Sequence, residues 1–571
     1  MSTITVLKFG GSVLKREADL AKVVHEIYRH WRRGKQVLAV VSAFGGTTDA
    51  LIEKTKTFGS DADPEAIASL LFTGEATSAA LLAMALKRSG VPSKLLNPEQ
   101  VGIRTTGDAL DGEPVSANVD RLNEELEQAV VVASGFAGVT EDGDLTLLGR
   151  GGTDLTALFL AQQLAANCIL IKDVDGLYES NPANSQLHPR RFLNANYETA
   201  LRLGGQLIQP KAVRFAEEHG QSFKITSIGA NVHTSVGAFK DKVDDASNIT
   251  RPLRVALLGC GTVGGGVYQR LSALPEFFEI VGVVNLDPKK ALDNGVLESH
   301  LERDVEYLIT QDCDVVIELI GGIEPARAYI EHALKLRRHV ITANKALIAE
   351  FGRELNALAH ENNVTIRYSA SVGGALPALE AVTPNGTRPR AFMGIINGTC
   401  NFVIDQLASG SDFGTAVMLA QKEGFAEADP TLDLNGTDAA QKLSLLIRQS
   451  FGVALPMSAI QREGIEKLTP ARVAEAGKRG NVFRLIAACS ETANGIEASV
   501  GPVQLPDSHP FAAIKGAENC LVIETDGGYR KTIKGRGAGR YATTESVMAD
   551  LFDLRRDHAK SQPFQYKEAH A

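Results

Sequence analysis

The run Val255-Ala-Leu-Leu258-Gly259-Cys-Gly261-Thr-Val-Gly264 constrains this chain more than any other. In it an apolar strand passes over three glycines straight into a helical stretch, Val267–Leu274. The first glycine permits a tight turn, the second lets backbone approach a pyrophosphate, and the third lets the helix pack on the strand. The helix start offers unpaired N–H groups and partial positive charge to phosphates. Gly259, Gly261, Thr262, Val263 and Gly264 are therefore expected to hold a dinucleotide. A glycine turn without a ligand is the plain alternative, and the strand before it and the helix after it argue against that alternative.

The next strand, Glu279–Val284, ends at Asn285, about twenty residues past the last glycine, where an acid would take the ribose 2′-hydroxyl of NAD. Asn285 is uncharged and would not repel a 2′-phosphate. Lys289 and Lys290 suit such a phosphate, whereas Asp287 does not. The balance favours NADP and leaves NAD open; a solvated turn explains the lysine pair equally well.

The chain has 571 residues, which suggests about three or four domains. Hydrophobic residues at 44% and charged residues at 22% allow a packed core in each. A net charge of -9 speaks against nucleic-acid binding, which usually needs a basic face. No apolar run approaches the roughly 18 residues of a membrane span. The N-terminus reads as a strand, not a signal peptide. The cysteines 168, 260, 313, 400, 489 and 520 form no C-x-x-C pair and suit a reducing cytosol, so a cytoplasmic location is expected.

Before the glycine run, strands alternate with helices: Ile4–Phe9, Ala18–Arg32, Gln36–Val41, Pro64–Arg88, Val130–Ser134 and Cys168–Lys172. That alternation predicts a mostly parallel sheet covered by helices. The polar stretch Asp241–Thr250 is expected to be a linker. From about Arg388, helices such as Gly414–Glu423 and Asp438–Ser450 lie among short strands such as Ala391–Ile396, as in an α+β substrate domain. Gly535–Leu554 is glycine-rich and then helical, and is expected to return to the nucleotide domain.

Two further segments bear on chemistry. His339-Val-Ile-Thr342-Ala-Asn-Lys345 reads as a strand ending in a lysine, and ligands bind at the C-terminal ends of strands in such sheets. Asp438 and Lys442 stand at i and i+4 on a predicted helix and share one face. By spacing alone, an ordinary surface ion pair is the stronger reading.

The second half, about Arg254 to Leu554, resembles homoserine dehydrogenases. The resemblance rests on the glycine fingerprint, Thr342-Ala-Asn-Lys345, Ala370-Ser-Val-Gly-Gly-Ala-Leu-Pro377, Ile396-Asn-Gly-Thr-Cys-Asn401, the run Glu427–Lys442, and Gly535-Arg-Gly537-Ala-Gly539. It implies Lys442 as proton donor, Asp438 as its holder, and Glu427, Asp433 and Asp438 at the substrate. It also implies Lys345 near nicotinamide and substrate, and Thr342 and Gly537 at the cofactor. A monovalent cation, Na+ or K+, is implied on the backbone carbonyls of Ser369, Val372, Gly374 and Leu376. The chemistry suits these residue types: aldehyde reduction needs a hydride on carbon and a proton on oxygen, and a lysine can supply the proton.

In the first half, Lys8-Phe-Gly10-Gly11-Ser12, Val41-Ser42-Ala-Phe-Gly-Gly46, Gly74-Glu75, Gly149-Arg150-Gly-Gly-Thr-Asp154 and Lys172-Asp-Val-Asp-Gly-Leu-Tyr178 follow strands or line helices. Each alone could be a plain glycine turn. Together, over about Ile4 to Gly237, they resemble aspartate kinases of the amino-acid kinase family. That implies Lys8, Gly10 and Gly11 at the transferring phosphate, Ser42, Glu75 and Arg150 at L-aspartate, and Asp154 organising the lysines. Lys172, Asp173, Asp175 and Tyr178, with Lys211, would serve MgATP. Three departures stand out. The segment between Ser42 and Glu75 is short, Thr153 replaces the usual serine, and the pair of regulatory ACT domains usual in fused enzymes of this type has no room after Gly237.

The expectation is thus an α/β chain: an amino-acid-kinase-like domain (1–242), a Rossmann dinucleotide-binding domain (252–385), an α+β substrate and dimerisation domain (386–530) and a C-terminal segment (531–571). It would phosphorylate L-aspartate and interconvert L-aspartate 4-semialdehyde and L-homoserine. The alternative is a dehydrogenase carrying an inactive, structural or ligand-binding kinase-like module. A homodimer or homotetramer is expected, with neither nucleic acid nor membrane as partner, and insensitivity to threonine and lysine.

Overall fold

Long apolar runs such as Val37–Val41 and Val130–Ala133 are fully buried, as strands covered on both faces must be. In the computed structural model the residues described are 4–59, 63–182, 189–205, 207–244, 251–384, 386–427 and 429–561. They form two compact units, one of residues up to 244 together with Phe552 onward, the other Arg251–Leu551.

The first unit is built on a nine-stranded sheet among the described residues. Its centre, Asn167–Lys172, Ile4–Phe9, Gln36–Val41 and Val130–Ser134, is parallel throughout. The helix Pro64–Arg88 begins on an Asp63 cap with proline in its first turn, and buries Ala68, Leu71, Leu82 and Leu86. Of the described helices, this one is long and apolar enough to cross a membrane by length and composition, although Glu75 and several serines and threonines interrupt its apolar residues. Its buried face packs on the sheet and carries Glu75 inward. The expected linker is shorter than Asp241–Thr250. Lys242–Asp244 is an edge strand, because Asp244 pairs with buried Arg191 at 2.7 Å. Residues 245–250 lie outside those described.

The second unit holds two six-stranded sheets among its described residues. One is parallel, in the order Leu301–Glu302, Phe278–Val284, Leu253–Leu258, Val315–Glu318, His339–Thr342 and Ile366–Arg367. In chain sequence that is 3-2-1-4-5-6, the doubly wound dinucleotide order, whose switch point falls between Leu253–Leu258 and Val315–Glu318. The other sheet is largely antiparallel and centres on Asn481–Thr492 and Pro389–Ile395. Its buried face, with Phe392, Leu485 and Leu521, packs against the helices Gly398–Ala408 and Thr437–Phe451. Leu443, Leu446 and Ile447 on the latter are fully buried, and each such side chain contributes about 1.5–3 kcal/mol.

The C-terminal stretch divides. Arg530–Arg536 is an edge strand of the antiparallel sheet. The helix Arg540–Ser561 then sets Thr544 and Glu545 against the first helix of the parallel sheet, through Val263 and Arg270. From Phe552 it belongs to the first unit, where Phe552 stacks on His25 at 4.0 Å.

Candidate functional site

The glycine loop sits at the switch point of the parallel sheet. Gly259 has φ +94°, and a Cβ there would meet the Leu319 carbonyl at 2.6 Å. A Cβ on Gly264 would lie 2.0 Å from the Gly259 oxygen, so helix and strand close only on glycine. At Gly261 nothing lies within 4 Å of the Cβ position, which leaves space for a ligand. The helix Thr262–Ser272 has no side-chain cap, so its first-turn N–H groups remain available. These features fit a dinucleotide.

Asn285 is half-buried and turned inward. Its Oδ1 accepts from the Cys260 N–H at 2.8 Å, and its Nδ2 donates to the Asp287 carbonyl. It thereby ties the glycine loop to the turn that follows its own strand. Asp287 caps the short helix Pro288–Asp293, accepting from the Lys289 N–H at 3.0 Å. Lys289 and Lys290 are exposed.

Lys345 corrects one expectation. The strand stops at Thr342, and Lys345 opens the helix Lys345–Glu361, because Asn344 caps that helix and accepts from the Leu347 N–H. Its Nζ lies 2.9 Å from Asp438 Oδ1, and Lys442 Nζ lies 2.8 Å from Asp438 Oδ2. Asp438 and Lys442 are thus one turn apart on the helix Thr437–Phe451, yet the pair is not a surface one: Asp438 is 4% exposed. Burial by itself would raise the Asp438 carboxyl. The two ammonium groups overcome that and hold it well below the usual carboxylate range. Burial likewise opposes charge on Lys345, but Asp438 raises its value above normal. Lys442 also donates to the Ile396 carbonyl at 2.9 Å.

The sequence reading quoted Asn397 within the run Ile396–Asn401 but gave it no role. This buried side chain donates to Asp433 Oδ1 at 2.7 Å and to Asp438 Oδ2 at 2.8 Å, while its own oxygen caps the helix Gly398–Ala408. Burial and the Asp438 charge raise the Asp433 carboxyl. Asparagine before a helix is a common cap, so only the fold marks it as a site residue. Glu427 is exposed, and its charge reaches Lys345.

Gly537 packs against buried Asn519, and a Cβ on Gly374 would meet the Gly537 carbonyl at 2.7 Å. Of the four carbonyls assigned to a cation, Ser369 and Leu376 accept from the Val372 and Ala378 N–H groups. Those of Val372 and Gly374 accept no backbone N–H among the described residues. Thr342 Oγ1 donates to Glu318 and faces away from solvent.

In the first unit Asp154 plays the part that Asp438 plays in the second. Its Oδ1 lies 2.7 Å from Lys8 Nζ, and its Oδ2 lies 2.9 Å from Lys172 Nζ. All three residues are buried. Burial would raise Asp154, and the two lysines lower it; burial and the Lys8 charge bring Lys172 down to about 8. These groups line a cavity of about 680 Å³ with Gly10, Gly11, Ser42, Glu75 and Arg150. Glu75 is 3% exposed and accepts a backbone N–H, from Ala43 at 3.2 Å, while its Oε2 has no partner among the described residues. Burial pushes it up to about 7. Arg150 is exposed and makes no ion pair among the described residues.

The nucleotide loop is less open. Asp173 is exposed, and the Tyr178 hydroxyl donates to Asp175 at 2.6 Å. Lys211 is caged by a hairpin: its Nζ meets Asp111 at 2.7 Å, Glu113 at 3.0 Å, and the Gly112 and Leu148 carbonyls.

Known families match this chain over three stretches. Residues 3–227 match the amino acid kinase family, 259–369 the homoserine dehydrogenase NAD-binding domain, and 377–552 the homoserine dehydrogenase family. A homoserine dehydrogenase of Neisseria gonorrhoeae is 33% identical over 317 residues, covering 54% of this chain and 73% of that protein. One from Bacillus subtilis is 35% identical over 315 residues, covering 53% and 72%. A homoserine dehydrogenase structure from Thiobacillus denitrificans superposes with a TM-score of 0.52 at 34% identity, covering 55% of this chain and 75% of that one.

Proposed function

We propose two reactions for this chain, which belongs to the homoserine dehydrogenase family in its second half and carries an amino acid kinase domain ahead of it. The second half is a homoserine dehydrogenase. The first half is proposed to be a working aspartate kinase.

For the dehydrogenase, the observation that carries the site assignment is one buried carboxylate, Asp438, holding Lys345 and Lys442 at the carboxyl end of the dinucleotide sheet. The glycine loop would hold NAD(P)H, which supplies a hydride to the aldehyde carbon when bound. Lys442, held in place by Asp438, gives a proton to the developing alkoxide of L-aspartate 4-semialdehyde; in reverse it takes one from L-homoserine. Glu427 and Asp433 offer negative charge to the substrate ammonium, and Lys345 offers a cation to its carboxylate. The exposed Lys289 and Lys290, with Asp287 committed to its cap, favour NADP over NAD. The unused carbonyls of Val372 and Gly374 support a monovalent cation there.

For the kinase, the Lys8–Asp154–Lys172 cluster carries the reading. Phosphoryl transfer needs positioned positive charge more than covalent chemistry. Lys8 and Lys172 neutralise the transferring phosphate of MgATP, while Glu75 and Arg150 take the ammonium and α-carboxylate of L-aspartate. The cage around Lys211 favours a second reading, an inactive kinase-like module. A homodimer or homotetramer formed through the antiparallel sheet, and a reducing cytosolic setting for six unpaired thiols, complete the proposal.

One preparation tests both halves. Aspartyl phosphate is trapped with hydroxylamine in MgATP with and without L-aspartate, and homoserine oxidation is followed by cofactor absorbance. Aspartate-dependent product establishes the kinase; its absence, with oxidation intact, establishes the inactive module. Lys442→Met is expected to lower dehydrogenase kcat about 10²–10⁴-fold and leave the hydroxamate assay unchanged. A smaller loss removes Lys442 from its role.

A further inference from the structure

We infer that Glu318 is a positioning residue that couples the loop Leu319–Gly322, which lies against the glycine turn at Gly259, to the helix start bearing Lys345. The inference rests on the dehydrogenase reading of this cleft and adds a residue that the sequence patterns do not mark.

Glu318 ends its strand beside the switch point and is 0% exposed. Among the described residues no lysine, arginine or histidine forms an ion pair with it. Burying an unpaired carboxylate is costly, and apolar residues fill such positions more cheaply. Three donors converge on it instead. Its Oε1 accepts from the Ile320 N–H at 2.8 Å and the Gly321 N–H at 3.0 Å, and its Oε2 accepts from Thr342 Oγ1 at 2.6 Å.

The hydrogen bonds continue into a closed ring. Thr342 Oγ1 accepts from the Asn344 N–H at 2.9 Å. Asn344 Nδ2 donates to the Gly322 carbonyl at 2.5 Å, which returns to the loop that Glu318 holds. Asn344 Oδ1 caps the helix whose first residue is Lys345. One carboxylate thereby sets two things at once. It shapes the loop whose Leu319 carbonyl lies against Gly259, and it fixes the point from which Lys345 reaches Asp438.

A carboxylate is needed because it only accepts. The Thr342 hydroxyl has one proton, and it already accepts from Asn344. A glutamine at 318 keeps one oxygen for the backbone N–H groups but turns an NH₂ toward Thr342. The hydroxyl proton then loses its acceptor, and the ring opens.

The test uses the full-length protein with Glu318→Gln, Thr342→Val, Thr342→Ser and the double variant Glu318→Gln/Thr342→Val. For each, kcat and KM for homoserine are measured with the NADPH dissociation constant and the melting temperature. Opening the ring is expected to lower kcat about 10- to 100-fold, as misplacement by about an ångström does. It is also expected to weaken NADPH more than about five-fold. Thr342→Ser, which keeps the hydroxyl, restores both. The double variant falls no further than the worse single one, since both break the same ring. Folded Glu318→Gln and Thr342→Val that stay within about five-fold of native in kcat and NADPH affinity overturn the proposal, as do losses that multiply. If Glu318→Gln does not fold, the Thr342→Val and Thr342→Ser pair decides alone. Should the native protein bind NADPH yet leave homoserine unchanged, the reading of the substrate site fails, and the NADPH affinities still decide whether the ring positions the loop.

Discussion

Asp438 and Glu75 are both buried carboxylates, and their surroundings send them in opposite directions. Two ammonium groups within 3 Å keep Asp438 charged. Glu75 has no cation paired with it among the described residues, and burial pushes it up to about 7. If the first half is the proposed aspartate kinase, the substrate ammonium pairs with the ionised form of Glu75. The KM for L-aspartate is therefore expected to fall as pH rises from about 6 to about 8, and Glu75→Gln is expected to remove that dependence while raising KM by about 1.5–3 kcal/mol, or roughly 10- to 100-fold. The same shift acts on stability. With its folded value above its unfolded one, Glu75 binds its proton more tightly in the folded state, so stability falls as pH climbs from the ordinary carboxyl value through about 7. Melting curves of the native protein and Glu75→Gln across that range should converge at low pH and separate at high pH. Parallel curves would mean that Glu75 is not perturbed. The residue types at both centres were legible in the motifs. Their burial, which turns an i,i+4 pair into a site, was not, because spacing along a helix does not reveal what covers it.

Among elements, the strands and glycine turns are the most readable. Ile4–Phe9, Gln36–Val41, Pro64–Arg88 and Leu253–Leu258 fall where apolar pattern and caps put them. Lys345 did not, because the Asn344 side chain starts a helix where the pattern looked like the end of a strand. The short helix Pro288–Asp293 poses the converse problem. Its lysines read equally as a solvated turn or a phosphate contact, and the fold leaves them exposed just beyond Asn285 with Asp287 occupied as a cap. Replacing Lys289 and Lys290 together by alanine is expected to raise KM for NADP about ten-fold, at roughly 0.5–1 kcal/mol for each exposed charge, and leave KM for NAD unchanged. Equal effects on both cofactors would assign the pair to solvent.

On the scale of the whole molecule, the kinase-family domain and the dehydrogenase follow each other with little between them. Only residues 245–252 separate the strand Lys242–Asp244 from Leu253–Leu258, and a folded regulatory domain needs roughly 50 residues or more. Titrating L-threonine and L-lysine into both assays is therefore expected to leave both rates unchanged; steep inhibition of either would reveal an effector site within the two units. The order of modules, the dinucleotide fingerprint and the helix bearing Asp438 and Lys442 were determined by the sequence itself. Glycine spacing, caps and apolar period are local properties, and each acts within a turn or two of the chain. Tertiary structure alone decided that Asn397 bridges Asp433 and Asp438, that Lys211 is caged by a distant hairpin, and that Glu318 closes a ring through Thr342 and Asn344. Those contacts join residues far apart in sequence, and only the packing of sheets and helices brings their polar atoms within bonding distance and excludes the water that would otherwise satisfy them.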